Sequence, residues 1–166
     1  MTDAWIRTDR LVLRPPETTD ADRIATLVGD WDVARWLTHV PHPYDLSDAR
    51  TFIAGPGQKG VYMIVAEDGL VGCVSHRAEL GYWLGRAFWR RGYASEAARA
   101  LVARHFERCD DNVASGYHLG NARSAAVLSK LGFEDAHVDP AVPTARGDTV
   151  AIQRVRLTRA AWRSRT

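Results

Sequence analysis

Three strand-forming runs follow one another between residues 61 and 84, and no other part of the sequence restricts the fold as much. Residues 61–66, VYMIVA, and 70–75, LVGCVS, are rich in β-branched and aliphatic residues, and the turn between them ends in glycine. Two such runs around a tight turn are typical of a β-hairpin. Residues 79–84, ELGYWL, form a third run of the same kind. The sequence therefore predicts antiparallel strands in the middle of the chain.

Two amphipathic helices are predicted after these strands. Apolar residues recur at helical spacing from residue 94 to residue 109, which predicts a helix that ends near residue 108. Residues 121–131 predict a second helix, closed by Gly132 in the left-handed conformation that favours glycine. A further strand is expected between the two helices, over residues 113–119.

The two ends of the chain carry weaker patterns. We expect the segment 135–148, which contains proline, glycine and aspartate, to be a loop before the last strand. The order of elements predicts an α/β chain, an α+β sandwich formed by one domain over residues 1–166, in which a mixed sheet carries helices on its faces. The remaining predicted elements are strands at 10–14 and 149–157, a helix capped by Thr18 or Thr19 that ends at Gly29, a short helix at 33–37, and a helix capped by Ser47 that ends at Gly55.

Composition limits the classes of function. The chain has 166 residues, 46% of them apolar, which is enough for one globular domain with a sizeable core. A formal net charge of +2 argues against a protein that mainly coats nucleic acid. No run approaches the roughly 18 apolar residues that a membrane span needs. Cys73 and Cys109 form no C-x-x-C motif and are expected to be reduced and buried, so we expect a cytoplasmic protein.

An anion site is predicted where the helix after residue 92 begins, within FWRRGYASEA. The first N–H groups of a helix have no intrahelical partner, and the helix dipole favours negative charge there. Gly92 and Ala94 let a ligand approach the backbone, and Arg90 and Arg91 add positive charge. The segment matches neither the P-loop nor the GxGxxG motif. It therefore predicts a phosphate site of another kind.

Several segments together resemble the GNAT superfamily of N-acetyltransferases, and within it the Rim-type ribosomal-protein N-terminal acetyltransferases. The family signature Q/R-x-x-G-x-G/A is similar to residues 89–94, WRRGYA, although Trp89 replaces the usual glutamine or arginine. The other matching segments are TDRLVLRP at 8–15, DWDVARWL at 30–37, ELGYWLG at 79–85, RRGYASEA at 90–97 and NARSAAVLSKLGF at 121–133.

The resemblance implies the GNAT fold, with a mixed, mostly antiparallel sheet whose fourth and fifth strands splay apart and with helices on both faces. It also implies acetyl-CoA as co-substrate and no metal. The pantetheine arm would run along the backbone of Trp83, Leu84 and Gly85, and Asn121 would bind the same arm. The residues expected at the pyrophosphate are Arg90, Arg91, Gly92, Tyr93, Ala94 and Ser95.

The activity implied is transfer of an acetyl group from acetyl-CoA to a primary amine, by direct attack in a ternary complex. In many members of the family a tyrosine on the last helix protonates the thiolate, but Leu128 occupies that position here. Rim-type relatives use a serine three residues after the asparagine, which corresponds to Ser124. For the base we weigh Glu79, His118 and water, because an amine is mostly charged at neutral pH.

The acceptor stays open at this point. It is a protein N-terminus or a small-molecule amine, and residues 29–50 and 135–148 are expected to select it. The alternative to an enzyme is a non-catalytic module that binds acetyl-CoA as a sensor or partner subunit. We expect no membrane partner and no nucleic acid, and assembly as a homodimer is left open.

Overall fold

One mixed sheet organises the protein. The computed structural model describes residues 5–56 and 58–166, and within them the sheet has eight strands in the order β1-β2-β3-β4-β5-β6-β8-β7. Neighbouring strands are antiparallel except β5 and β6, which are parallel. The predicted mixed and mostly antiparallel sheet is therefore confirmed. The strands are β1 Ile6–Arg7, β2 Val12–Arg14, β3 Val61–Ala66, β4 Gly69–His76, β5 Leu80–Leu84, β6 Val113–His118, β7 Glu134–Pro143 and β8 Thr149–Leu157.

Helices pack on the two faces of this sheet. They are α1 Ala21–Gly29, α2 Trp31–Ala34, α3 Leu46–Ala54, α4 Tyr93–Phe106, α5 Ala122–Leu131 and α6 Arg159–Arg163. Both α1 and α4 contact β4 and β5, but α1 packs with α2 and α3 whereas α4 packs with α5. The core lies between these layers, and its fully buried side chains include Leu13, Ile24, Met63, Ile64, Val71, Val102, Leu128 and Leu131.

A carboxylate caps α3, where a hydroxyl side chain was predicted. Asp45 caps α3, since its Oδ1 accepts from the Asp48 N–H at 3.0 Å and Asp48 Oδ2 accepts from the Asp45 N–H at 2.9 Å. The Ser47 prediction is wrong because this reciprocal pair begins the helix one residue before it. A 3-10 turn, Thr18–Asp20, precedes α1, and Asp20 accepts from the Glu17 N–H at 2.8 Å, so neither threonine is the cap.

The segment predicted as a loop, 135–148, lies largely in strand β7. This strand is at the edge of the sheet, and its side chains are mostly exposed. Its pairing with β8 is irregular between Asp139 and Val142, around Pro140. An exposed edge strand that contains prolines lacks the alternating pattern that reveals a strand in sequence.

The two cysteines differ in burial. Cys73 lies inside the sheet, where burial raises the pKa of its thiol to about 12. Cys109 is exposed, so the expectation that both would be buried is wrong for it. The reason is that α4 ends at Phe106, before the apolar spacing reaches Cys109.

Strands β4 and β5 approach most closely at Gly72. A Cβ on Gly72 would lie 2.2 Å from the Trp83 carbonyl oxygen and 3.0 Å from the Leu84 Cα. Real Cβ atoms do not approach backbone so closely, and any side chain here would push β5 away from β4.

We expect Gly72→Ala to lower the free energy of unfolding by about 1–3 kcal/mol, the usual cost of overpacking a tight interior. Gly81→Ala is the matched control, because its Cβ would meet only Ser75 Oγ at 3.6 Å, an ordinary contact. Denaturant unfolding measures both variants. Equal stability of the two would contradict the close approach.

Candidate functional site

A notch opens between β5 and β6, the strands predicted as fourth and fifth; the short β1, which was not predicted, shifts the numbering. Within the described residues these strands pair at one register, Leu80 opposite Ser115. There the Ser115 hydroxyl donates to the Leu80 carbonyl at 2.8 Å. Beyond this pair the strands diverge, as the splayed arrangement requires, and a cavity of about 990 Å³ occupies the gap.

Backbone groups of β5 alternate between the two sides of the strand. The Gly85 N–H donates to the Val71 carbonyl at 2.9 Å, so the main chains of Gly85 and Trp83 point toward β4. The alternate residues, Tyr82 and Leu84, direct their main-chain groups toward the notch. The Leu84 carbonyl accepts from Trp89 Nε1 at 3.0 Å. A chain laid along the notch would therefore meet the backbone of Tyr82 and the Leu84 N–H.

The loop before α4 has the geometry of an anion cradle. Gly92 lies at φ 79° and Arg90 at φ 63°, both in the left-handed region. The Glu96 N–H bonds back to the Gly92 carbonyl at 3.0 Å, so the preceding N–H groups of the first turn have no such helical partner. Successive amides in this arrangement form a concave donor surface for phosphate oxygens.

An ion pair with the N-terminal strands holds this loop in place. The Glu96 carboxylate accepts from Thr8 Oγ1 at 2.6 Å and from Arg10 Nε at 2.8 Å. Arg10 Nη1 also donates to the Arg91 carbonyl at 2.8 Å. Burial opposes ionisation of Glu96, but these hydrogen bonds outweigh it and hold the pKa of Glu96 below its ordinary value. Sequence reasoning missed these roles, although Thr8 and Arg10 begin the first matching segment.

Arginines surround the same end of the notch. Arg91 Nη1 lies 3.1 Å from Asp68 Oδ2, and Arg90 is exposed. Arg123, in the first turn of α5, places its guanidinium 3.8 Å from the centre of the Trp89 ring. Arg123 was not among the predicted site residues. Trp89, which departs from the family signature, thus links the Leu84 carbonyl to a cation from α5.

The start of α5 brings a hydroxyl pair into the cavity. Asn121 caps the helix, as its Oδ1 accepts from the Ser124 N–H at 3.3 Å, while its amide nitrogen can donate to a ligand. Ser124 Oγ lies 2.9 Å from the Tyr82 hydroxyl. Burial raises the pKa of Tyr82 to about 12, although the bond to Ser124 opposes this. Leu128, at the family's tyrosine position, is buried in the core.

The two side chains weighed as bases have different surroundings. His118 is buried; its Nε2 lies 3.0 Å from Thr38 Oγ1 and its ring also bonds to the Arg35 backbone. Burial, and then the charge of Arg146, lower the pKa of His118. Because these contacts engage the ring, His118 joins β6 to the segment after α2.

Glu79, the other candidate, is at the mouth of the cavity, and its side chain is half exposed. Both carboxylate oxygens lie 3.1 Å from Arg154 Nη1. Arg154 has a second carboxylate partner, since its Nε donates to Asp139 Oδ2 at 2.6 Å. Glu79 can therefore turn toward an incoming amine without leaving Arg154 unpaired.

The segments expected to select the acceptor meet at the cavity wall. Trp36, Thr38 and His39 line it from one side, and Val142 lines it from β7. The Ala145 N–H donates to the Thr38 carbonyl at 2.8 Å, which ties the two segments together.

No helix among the described residues is long and apolar enough to cross a membrane. In the same residues, no group of three or more side chains with metal-ligating atoms comes together.

Comparisons with known proteins agree with this geometry. The pattern of the acetyltransferase (GNAT) domain family matches residues 10–134. An uncharacterized N-acetyltransferase of Bacillus licheniformis, p20, is 31% identical over 144 residues, which cover 76% of this chain and 80% of that protein. YdaF of Bacillus subtilis (strain 168), named provisionally as a ribosomal N-acetyltransferase, is 28% identical over 143 residues, which cover 75% of this chain and 78% of that protein.

Solved structures share the fold. RimL, a ribosomal L7/L12 alpha-N-protein acetyltransferase whose structure was determined with coenzyme A, superposes with a TM-score of 0.79. The match has 18% sequence identity and covers 95% of this chain and 99% of that chain. With the family pattern over most of the chain and a splayed sheet of the expected topology, the protein is an acetyltransferase of the GNAT family.

Proposed function

We propose that this acetyltransferase transfers the acetyl group of acetyl-CoA to a primary amine, by direct attack in a ternary complex. The observation that carries the proposal is that one cavity of about 990 Å³ contains an anion cradle, a strand edge and a hydroxyl pair. These are the features that a phosphate group, an extended amide-containing arm and a departing thiolate require. Membership of the family supports acetyl transfer from a thioester, and the cavity residues of this chain provide the contacts with the ligand.

The residues fit the phosphate and pantetheine parts of acetyl-CoA. The first-turn amides of α4 face the notch with Gly92 at φ 79°, so the backbone can contact pyrophosphate oxygens. The predicted phosphate contacts, Arg90 to Ser95, belong to this loop, while Trp83 and Gly85 hold β5 on β4. Tyr82 and Leu84 present the backbone that pairs with the arm, and the Asn121 amide adds a donor.

Protonation of the leaving thiolate falls to Ser124. Its hydroxyl lines the cavity and is bonded to Tyr82, which can pass a proton to it in turn. A tyrosine is protonated at neutral pH, and burial, which raises the pKa of Tyr82 to about 12, keeps it protonated in more alkaline solution as well. The Leu84 N–H can stabilise the negative charge that develops on the thioester oxygen, a contribution of roughly 3 kcal/mol in comparable sites.

Deprotonation of the amine is assigned to Glu79, directly or through water. Its half-exposed position at the mouth lets the ammonium group approach from solvent. His118 is less suited because Thr38 and the Arg35 backbone engage its ring.

The acceptor that we propose is the α-amine of a protein, in the cytoplasm. The support is that YdaF and RimL are both named for ribosomal substrates. A small-molecule amine is the second candidate, because Trp36 and His39 offer an aromatic wall that a compact amine could also contact.

We expect the purified protein to acetylate peptides with an unblocked N-terminus, and to leave matched peptides with a blocked N-terminus unmodified. Thiol release and peptide mass measure this, with small amines in the same panel. Turnover on small amines alone would select the second candidate. Tight binding of acetyl-CoA without turnover on any amine would instead indicate the non-catalytic module.

Gly92→Asp should weaken binding of acetyl-CoA at least tenfold more than Gly92→Asn. Both substitutions add a side chain to a residue whose φ is 79°, and both place a Cβ 3.3 Å from Arg10 Nη2. Only aspartate adds negative charge to the cradle. Isothermal titration gives the two affinities, and a tenfold difference corresponds to about 1.4 kcal/mol. Equal affinities of the two variants for acetyl-CoA would contradict the assignment of this loop as the phosphate site.

Ser124→Ala should lower kcat about a hundredfold or more, within the range for loss of a general acid, with acetyl-CoA affinity unchanged. Tyr82→Phe should lower kcat less, because Ser124 keeps its own proton. Ser129→Ala, exposed on the same helix, is the control. An acetyl thioester with a more acidic thiol should restore the Ser124→Ala rate, since its thiolate needs no acid. Wild-type turnover in Ser124→Ala would mean that another group donates the proton.

A further inference from the structure

A second pocket lies at the opposite end of α4 from the anion cradle. Its volume is about 520 Å³, and it is enclosed by the segment before β3, the end of β4 and the C-terminal half of α4. Six basic side chains line it, and we call it the basic pocket: Lys59, His76, Arg77, Arg104, His105 and Arg108. From Tyr93 to Arg108 the helix and its last turn span about 20 Å, so the two sites are separate.

Three of the six basic side chains form no ion pair within the described part of the chain. The described residues that line the pocket include neither aspartate nor glutamate. In residues 5–56 and 58–166, Lys59, Arg77 and Arg108 form no ion pair. Of the acids that follow Arg108, Asp110 pairs with Arg159.

The helix dipole explains only part of the arrangement. Cations near a helix C-terminus are stabilised by its last carbonyls, which accounts for Arg104 and His105 in the last turn of α4. It does not account for Lys59 and Arg77, which come from separate loops and converge on the same cavity. Bringing like charges together costs free energy unless an anion lies between them.

The two histidines, His76 and His105, contact each other in the pocket. Their ring centres are 4.8 Å apart, edge to face. Burial lowers the pKa of His76, and the charge of His105 lowers it further. An anion in the pocket would act in the opposite direction and raise the pKa of His76.

We propose that the basic pocket binds a small anion that carries phosphate groups. Its volume is within the range of small-molecule sites, which is about 300–1,000 Å³. The planar guanidinium groups of Arg77 and Arg108 can each donate paired hydrogen bonds to phosphate oxygens, and Lys59 adds a point charge. The ligand is either inorganic phosphate or a phosphate ester, and this site is independent of the transfer reaction.

Proton NMR of the histidine rings tests the proposal at the pocket itself. Inorganic phosphate, pyrophosphate and a sugar phosphate are titrated in separate arms, at constant ionic strength set with chloride. We expect the His76 and His105 resonances, assigned from His76→Gln and His105→Gln, to shift together and saturably, and the pKa of His76 to rise. His137, which is exposed on β7 away from both cavities, is the internal reference. Phosphate bound at the α4 cradle would not shift the resonances of His76 and His105.

The double variant Lys59→Gln and Arg108→Gln should weaken phosphate binding at least tenfold, and Arg163→Gln, which removes an exposed charge outside the pocket, should leave it unchanged. Saturation by inorganic phosphate alone identifies the free ion, and tighter binding of the sugar phosphate identifies an ester. Equal shifts of all histidines, unchanged affinity in the double variant, or binding of an RNA oligonucleotide without any binding of the small phosphates would overturn the proposal.

Discussion

The hydrogen bond between Ser115 and Leu80 joins β5 and β6 at the register beyond which these two strands no longer pair. At this one register β5 and β6 lie side by side, and from there β5 stays with β4 while β6 pairs with β8 over its whole length. The notch is therefore a consequence of strand pairing, because each strand is bound to a different partner. The strand edge, the cradle and the hydroxyl pair are all arranged around this divergence.

The cavity walls are positioned by contacts that lie outside the cavity. Gly72 lets β5 lie close against β4, which sets the direction of its alternate backbone groups. Trp89 bonds to the Leu84 carbonyl and carries Arg123 on its ring, so one side chain joins the strand, the loop and α5. Such supporting contacts hold the functional groups in place before a ligand binds.

The sequence predicted the central strands and the two later helices because their patterns are local. The runs from 61 to 84 and the spacing of apolar residues in α4 need no knowledge of distant residues. Strand β7 was missed since an edge strand with prolines carries no alternation. The cap at Asp45 was missed because several capping residues lie close together there, and local sequence cannot choose among them.

The functional site shows the same difference between features that local sequence predicts and contacts between distant residues. The loop at Gly92 and the helix that starts at Asn121 were predicted from local chemistry and the family resemblance, and both are formed. Tyr82 as the partner of Ser124 was not predictable, because 42 residues separate them and only the packing of α5 on β5 joins them. The ion pair between Glu79 and Arg154, which are 75 residues apart, could not be predicted for the same reason.

The bond from Thr8 to Glu96 joins groups that are 88 residues apart in the chain. Contacts of such separation form late, because the entropy of closing the intervening chain must be overcome before they contribute. The cradle before α4 can therefore reach its final shape only after the first strand has joined the sheet. The phosphate contacts that we propose would therefore be missing from a chain in which this long-range bond has not yet formed.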